Sequence, residues 1–193
     1  MRLVKILLFI GLIFGMLQPG FSKAGFGVNG EVALPMGTFG DVAGAGFGGT
    51  LLVQFPASLD LMFTGRAGYI SWGGKELDME IFSFSYNYSA IPVMGGVRKY
   101  FGTGGARFFA EGEVGLHIFK LKTTTTTTIL DPVSGTEETT STSASATETK
   151  FSVAPGVGVE FGSSTKMTIS ARYNVGGESY LGLRFGVAFG GAE

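Results

Sequence analysis

Along most of this chain, apolar and polar residues alternate with a period of two. In the stretch RFFAEGEVGLHIF (107–119), one parity carries Phe108, Ala110, Gly112, Val114, Leu116 and Ile118. The other carries Phe109, Glu111, Glu113, Gly115 and His117. Successive side chains of a strand point to opposite faces, so this pattern predicts a strand lying between two unlike environments. The same alternation recurs over 26–34, 46–55, 61–69, 151–161, 167–174 and 181–189, and less regularly over 82–101. These eight segments are mostly about ten residues long, the length a tilted strand needs to cross hydrocarbon. No segment after Gly25 shows a helical period or an apolar run long enough for a membrane helix.

The pattern alone does not say which face is buried. The charges on the polar parity do. Glu31, Glu111, Glu113 and Glu160 share it with Arg66, Arg98, Arg172 and Arg184, four against four. In a soluble β-sandwich or lipocalin these positions would face water, and nothing would require the signs to match. A closed eight-stranded barrel has an interior only wide enough for side chains, so each buried charge there needs a partner. The expectation is therefore an all-β, eight-stranded antiparallel up-and-down transmembrane barrel, with apolar residues against lipid and a paired charge network in the lumen. Within 82–101, Phe82, Phe84, Tyr86 and Tyr88 share one parity while Val93, Val97 and Phe101 take the other. A proline lacks the ladder N–H, and a bulge near Pro92 is expected to flip the faces. Arg98 then points inward, and Lys99 points outward near the membrane edge, where it can snorkel.

Connection lengths support the barrel. Short turns at 56–59, 102–106 and 162–165 oppose mostly longer loops at 35–45, 71–81 and 120–150, with a brief one at 176–179. Short periplasmic turns and long extracellular loops are the outer-membrane pattern. Alternate strands close with QFPA, YFGT, EFGS and AFGG, setting Phe55, Phe101, Phe161 and Phe189 at one level as a periplasmic aromatic girdle. An even strand number puts both termini on the periplasmic side. Upstream, Arg2 and Lys5 precede an apolar run, and Ser22-Lys23-Ala24 supplies small residues at −3 and −1 of a cut after Ala24. Residues 1–24 are thus expected to be a secretory signal peptide, leaving 25–193 as the barrel domain. Without Arg2, Lys5 and Lys23, eleven basic residues face fifteen acidic ones, a net charge of −4. That balance excludes an electrostatic draw to nucleic acid. The 33 glycines and 18 phenylalanines fit an all-β chain with close backbone approaches, and the absence of cysteine excludes disulfides and thiolate metal sites.

Three stretches carry a family resemblance: AIPVMGGVRKYF (90–101), APGVGVEF (154–161) and the closing strand with Tyr180-x-Gly182-x-x-Phe185-x-Val187. On these the mature chain resembles the OmpA/OmpX-like small outer-membrane β-barrels, the "porin family" of Gram-negative envelopes. The resemblance implies residence in the bacterial outer membrane among lipid and lipopolysaccharide. It also implies recognition of the closing strand by the barrel-assembly machinery, although the chain ends in Gly-Gly-Ala-Glu where the family has an aromatic residue. The family includes membrane anchors, adhesins, complement-evasion proteins and a few lipid-modifying enzymes, so it specifies architecture better than activity.

Two features remain as candidate chemistry. The Thr/Ser-rich stretch 120–150, with Asp131-Pro132-Val133-Ser134-Gly135 as a turn, has the low complexity of a disordered tract. Threonine is nevertheless a strong strand former, and a hairpin prolonging the flanking strands would present an edge to an extracellular protein or surface. His117 lies inward near the outer end of its strand. A barrel enzyme acting on lipid A would need a serine and a carboxylate converging on such a histidine. The His-x-Ser of deacylase-type barrels is absent, since Phe119 stands two residues on, and no motif ties Glu113, Glu76 or Asp78 to His117. A non-enzymatic structural or surface-interaction role, without cofactor or metal, is the expectation, with a lipid A-modifying enzyme and a narrow pore as alternatives. Gly44-Ala45-Gly46-Phe47-Gly48-Gly49 fits G-x-G-x-x-G but precedes a strand, so it is no nucleotide loop. Asn87-Tyr88-Ser89 fits a glycosylation sequon, but its place in a predicted barrel strand argues against modification.

Overall fold

The computed structural model describes residues 24–74, 77–79, 82–130, 137–163 and 165–190. The signal peptide expected at 1–24 lies outside them apart from its last residue, as do the 131–135 turn, Glu76 and the last three residues. Nine strands and one short helix follow in order: β1 (Gly25–Pro35), α1 (Thr38–Val42), β2 (Ala43–Pro56), β3 (Leu61–Gly74), β4 (Leu77–Met79), β5 (Phe82–Phe101), β6 (Ala106–Leu130), β7 (Glu137–Phe161), β8 (Thr165–Asn174) and β9 (Tyr180–Gly190). Each long strand pairs antiparallel with its neighbours, β9 returns to β1, and β3 pairs with β5 across the short β4. The eight long strands thus close an up-and-down barrel with no free edge in its body, which removes the edge liability of an open sheet.

Alternation decides what each face carries. Val28, Leu51, Tyr69, Val93, Leu116, Val157, Ile169 and Phe185, one from each long strand, point outward and are exposed. On the opposite parity, Asn29, Glu31, Thr50, Arg66, Arg98, Glu111, Glu113, Glu160, Arg172 and Arg184 are all buried. A soluble monomer rarely exposes more than a few hundred Å² of continuous apolar surface, whereas here it encircles the molecule. Among the described residues no helix is long and apolar enough to cross a membrane, which says nothing of strands.

The expected bulge at Pro92 is absent. From Phe82↔Thr127 to Phe101↔Phe108, β5 and β6 keep one uninterrupted register. The ladder to β3 is interrupted between Ala67↔Val93 and Ile70↔Ala90, opposite the proline, and resumes in the same register. What changes along β5 is the environment. Near the long-loop end the interior becomes aromatic and the exterior polar, so Tyr88 stays on the inner parity and packs edge-on against Phe39 at 5.4 Å. Arg98 points inward and Lys99 outward without any shift, and Lys99 lies 3.7 Å from Asp60 in the β2–β3 turn. The register does shift between Ala43 and Gly46 of β2, a place the sequence did not mark.

Loops also carry more structure than their composition suggested. The β1–β2 connection contains α1, whose Phe39 is buried, and the connection after β3 contains β4. β6 and β7 pair residue for residue from Ala106↔Phe161 to Leu130↔Glu137, so the Thr/Ser-rich stretch prolongs both strands. From Lys120 to Leu130 this extension reaches about 34 Å along the strand.

Candidate functional site

The lumen is built in layers. Its centre is an ionic network. Glu113 accepts from Arg66 Nη2 at 2.7 Å, Arg66 Nε at 3.1 Å and Arg172 Nη1 at 3.0 Å. Glu31 accepts from Arg172 Nη2 at 2.7 Å and Arg66 Nη1 at 3.4 Å. Two carboxylates and two guanidiniums thereby close a ring whose members come from β1, β3, β6 and β8. Nearer the short turns, Glu111 accepts from Arg98 Nη2 at 2.8 Å and from Arg184. Arg184 Nη1 lies 3.6 Å from Glu113 Oε1, which joins the two layers. Every member is nearly without solvent exposure, so removing one partner would leave an uncompensated buried charge.

Sequence parity identified all eight charges but not the rest of the network. Tyr100 donates to Glu160 at 2.6 Å, and Arg107 donates to the same carboxylate at 3.0 Å. Lys166 lies 3.8 Å away, so Glu160 is matched chiefly by residues near the turns. Arg98 Nη1 stands 4.0 Å from Glu160, and its guanidinium lies 4.0 Å above the Phe109 ring. Tyr100 shares the inward parity of Arg98, and Arg107 shares that of Phe109, Glu111 and Glu113, so the alternation carried a signal for both; at Arg107 it was obscured because that residue opens its strand. Inward glycines provide the room. A Cβ on Gly182 would lie 2.6 Å from Glu31 Oε1, and one on Gly96 would lie 2.9 Å from Glu113 Cγ.

Above the network sits an aromatic cap. Trp72, fully buried, contacts Phe39 at 5.5 Å, Tyr180 at 5.3 Å and Phe119 at 6.4 Å between centroids. Its indole N–H donates to Ala33 O at 3.1 Å. Ile70 and Trp72 continue the inward parity of β3 beyond Tyr69, a signal the sequence carried and the predicted strand end cut off.

His117 lies between cap and network. Its Nε2 and the Tyr180 hydroxyl are 3.0 Å apart, and its ring stacks on Phe119 at 5.6 Å. Tyr180 also accepts from Arg172 Nη2 at 3.0 Å and so links the cap to the ion pairs. Tyr180→Phe should therefore cost about 1–2 kcal/mol in urea unfolding of the reconstituted barrel, because it strips one partner from a buried guanidinium and one from an imidazole. Of the carboxylates considered for His117, Glu113 is engaged by arginines. Among the described residues no group of three or more His, Asp or Glu side chains could hold a metal.

The four girdle phenylalanines lie at the short-turn end. Phe55 stands opposite Phe63, Phe101 opposite Phe108 and Phe189 opposite Phe26, while Phe161 lies opposite Met167. The partners Phe26, Phe63 and Phe108 extend the aromatic level beyond the four residues marked by the repeat.

The β6–β7 extension is the second candidate. β8 pairs with β7 only over Gly156–Phe161, plus an isolated bridge at Val153↔Val175. Among the described residues, β7 therefore has no strand neighbour on that side from Glu137 to Ser152. Thr124 and Ser143, and Thr126 and Ser141, join their hydroxyls across β6 and β7 at 3.1 Å each.

No family model matches the chain, and no curated protein matches it. Among solved structures, Neisserial surface protein A (NspA) is similar, at 13% identity and a TM-score of 0.54, over 86% of this chain and 96% of that one. The attachment invasion locus protein Ail of Yersinia pestis aligns at 14% identity and a TM-score of 0.45, over 87% and 95%. The first likeness shows the barrel fold.

Proposed function

We propose that this protein is an integral outer-membrane barrel that acts through its protruding β6–β7 extension as a surface-interaction module rather than as an enzyme or pore. The observation that carries the interaction reading is the unpaired edge of β7 above the barrel. A run of backbone N–H and C=O groups without a strand neighbour is a template for strand addition. The membrane reading is supported by the continuous apolar exterior around a paired ionic interior, the inverse of a water-soluble barrel. The surface role accords with the printed names of the two similar structures, a surface protein and an attachment protein. On this reading Phe55, Phe101, Phe161 and Phe189 mark the periplasmic boundary of the lipid, and the long loops face outward after a cleaved signal peptide.

His117 is assigned a filling role, because it is fully buried and its partner is Tyr180. Two charged layers and an aromatic cap fill the lumen, and planar-bilayer recordings should show no steady conductance. Deleting 123–149 should abolish binding of the exported protein to its extracellular partner or host surface, while changing barrel stability by less than about 0.5 kcal/mol. Unchanged adhesion in the deletion would contradict the interaction reading.

A further inference from the structure

Pro92 and Pro155 lie within long strands, and each is turned away from β6. Val153 N–H donates to Val175 O and Val175 N–H to Val153 O, each at 2.8 Å, so odd-numbered residues of β7 bond toward β8. Pro155 has that parity. Gly156↔Arg172 and Val153↔Val175 keep one register, which sets Pro155 opposite Tyr173 and deprives the Tyr173 carbonyl of its ladder N–H. On the other flank, Tyr100 N–H donates to Asp60 O at 2.7 Å, so even-numbered residues of β5 bond toward β3. Pro92 has that parity. The gap between Ala67↔Val93 and Ile70↔Ala90 falls where a residue 92 N–H would reach Gly68 O.

The ladders between these flanks are continuous. β5 pairs with β6 from Phe82↔Thr127 to Phe101↔Phe108, and β6 with β7 from Ala106↔Phe161 to Leu130↔Glu137. The three strands form a panel that includes the whole described extension, and each of its seams to the rest of the barrel carries one proline notch. In the middle of the lumen β6 ties the panel to the other strands. Glu113 accepts from Arg66 of β3 and Arg172 of β8, Glu111 accepts from Arg184 of β9, and His117 meets Tyr180 of β9. The bonds from Arg98 to Glu111 and from Tyr100 to Glu160 stay within the panel.

We propose that β5, β6 and β7 move as one panel, hinged along the two proline-notched seams and latched to the rest of the barrel by Glu111, Glu113 and His117. Regions of a fold open in order of the bonds they must break. The cost of the unpaired Gly68 and Tyr173 carbonyls is already present in the closed barrel, so parting either seam there breaks one bond fewer. Parting β6 from β5 or β7 has no such discount. The extension is the outer arm of the same panel, so a pull on it acts through β6 on the carboxylates of the network and draws Glu113 from Arg66 and Arg172. The device links the outer surface to the interior without a pore. It rests on the ladders alone and stands whether or not the edge of β7 takes a partner.

Residue-resolved amide exchange of the folded barrel in lipid nanodiscs tests this, because strand parity makes the expected pattern alternate. Met94 and Val157 aim their amides across the seams, toward β3 and β8, while the neighbouring Val93 and Gly158 aim theirs toward β6. Met94 and Val157 should exchange roughly tenfold faster than Val93 and Gly158, the factor that about one backbone hydrogen bond commands. Pro92→Val and Pro155→Val each return an N–H to one seam and should slow exchange there by a similar factor, with the β1–β9 amides unchanged. Glu113→Gln weakens the latch and should speed Met94 and Val157 together while leaving Val93 and Gly158 as they were. Heat-shifted gel migration verifies that each variant is folded, and the valine variants do not depend on Glu113→Gln folding. Equal exchange of seam and panel amides in wild type would overturn the proposal. So would valine variants whose seam amides exchange at the wild-type rate, or a Glu113→Gln that speeds one seam alone. Unchanged adhesion on deleting 123–149 would count against the β7 edge and leave this pattern untouched.

Discussion

Glu113→Ala should cost the barrel about 3–5 kcal/mol, the largest loss expected from a single substitution in the lumen. Glu113 is the hub of the network. It takes two bonds from Arg66 and one from Arg172, and it stands close to Arg184. Truncation leaves Arg66, Arg172 and Arg184 to share Glu31 and Glu111, the latter already held by Arg98, in a space with almost no solvent exposure. The cost comes from the stranded charges more than from the lost bonds, so Glu113→Gln should fall between alanine and wild type. The same reasoning predicts that exchanging the ring of Glu31, Arg66, Glu113 and Arg172 together for apolar residues of similar volume is far less damaging than breaking it. Urea unfolding of the protein reconstituted in vesicles reads all three. A Glu113→Ala loss below about 1 kcal/mol would mean that the network is hydrated and open.

Val114→Arg should be nearly as damaging, by about 2–4 kcal/mol, for the opposite reason. Val114 lies midway along the outward apolar run of β6, between Gly95 and Val153, and is 52% exposed. In water, a charge at so exposed a position would be harmless. Thr124→Arg, ten residues along the same face and beyond the apolar rows, should change stability by less than about 0.5 kcal/mol. The contrast within one strand separates a lipid-facing surface from a solvent-facing one, since a soluble barrel would tolerate both substitutions equally.

Much of this architecture was legible in the chain. Period-two alternation marked all eight long strands, and the balance of four glutamates against four arginines indicated which face turns inward. Pairing within the lumen was not legible. Arg172 and Glu31 stand 141 residues apart and meet only because β9 closes between β8 and β1. Such contacts depend on the barrel's stagger, which no local pattern records. The Pro92 bulge failed for an instructive reason. Apolar residues changed parity there because surroundings change with height along the barrel, not because the register slips. The same change hid the cap. Trp72, Phe119 and Tyr180 lie on the polar parity, where an interior expected to be uniformly polar has no place for them. α1 is too short, at five residues, to show a helical period, and only Phe39 within a glycine-rich loop hinted at a buried anchor. The Thr/Ser-rich stretch was ambiguous because low complexity and strand propensity point in opposite directions; β6 and β7 pair without a break through all of it that is described.

The lipid-facing exterior requires insertion as a closed barrel in the outer membrane. Gel migration of the protein from outer-membrane fractions, with and without boiling, measures that in one experiment. Unheated protein should fractionate with the outer membrane and run as a compact band, and boiling should shift it to the mobility of the unfolded chain. Recovery in the soluble fraction, or one mobility under both conditions, would contradict the account.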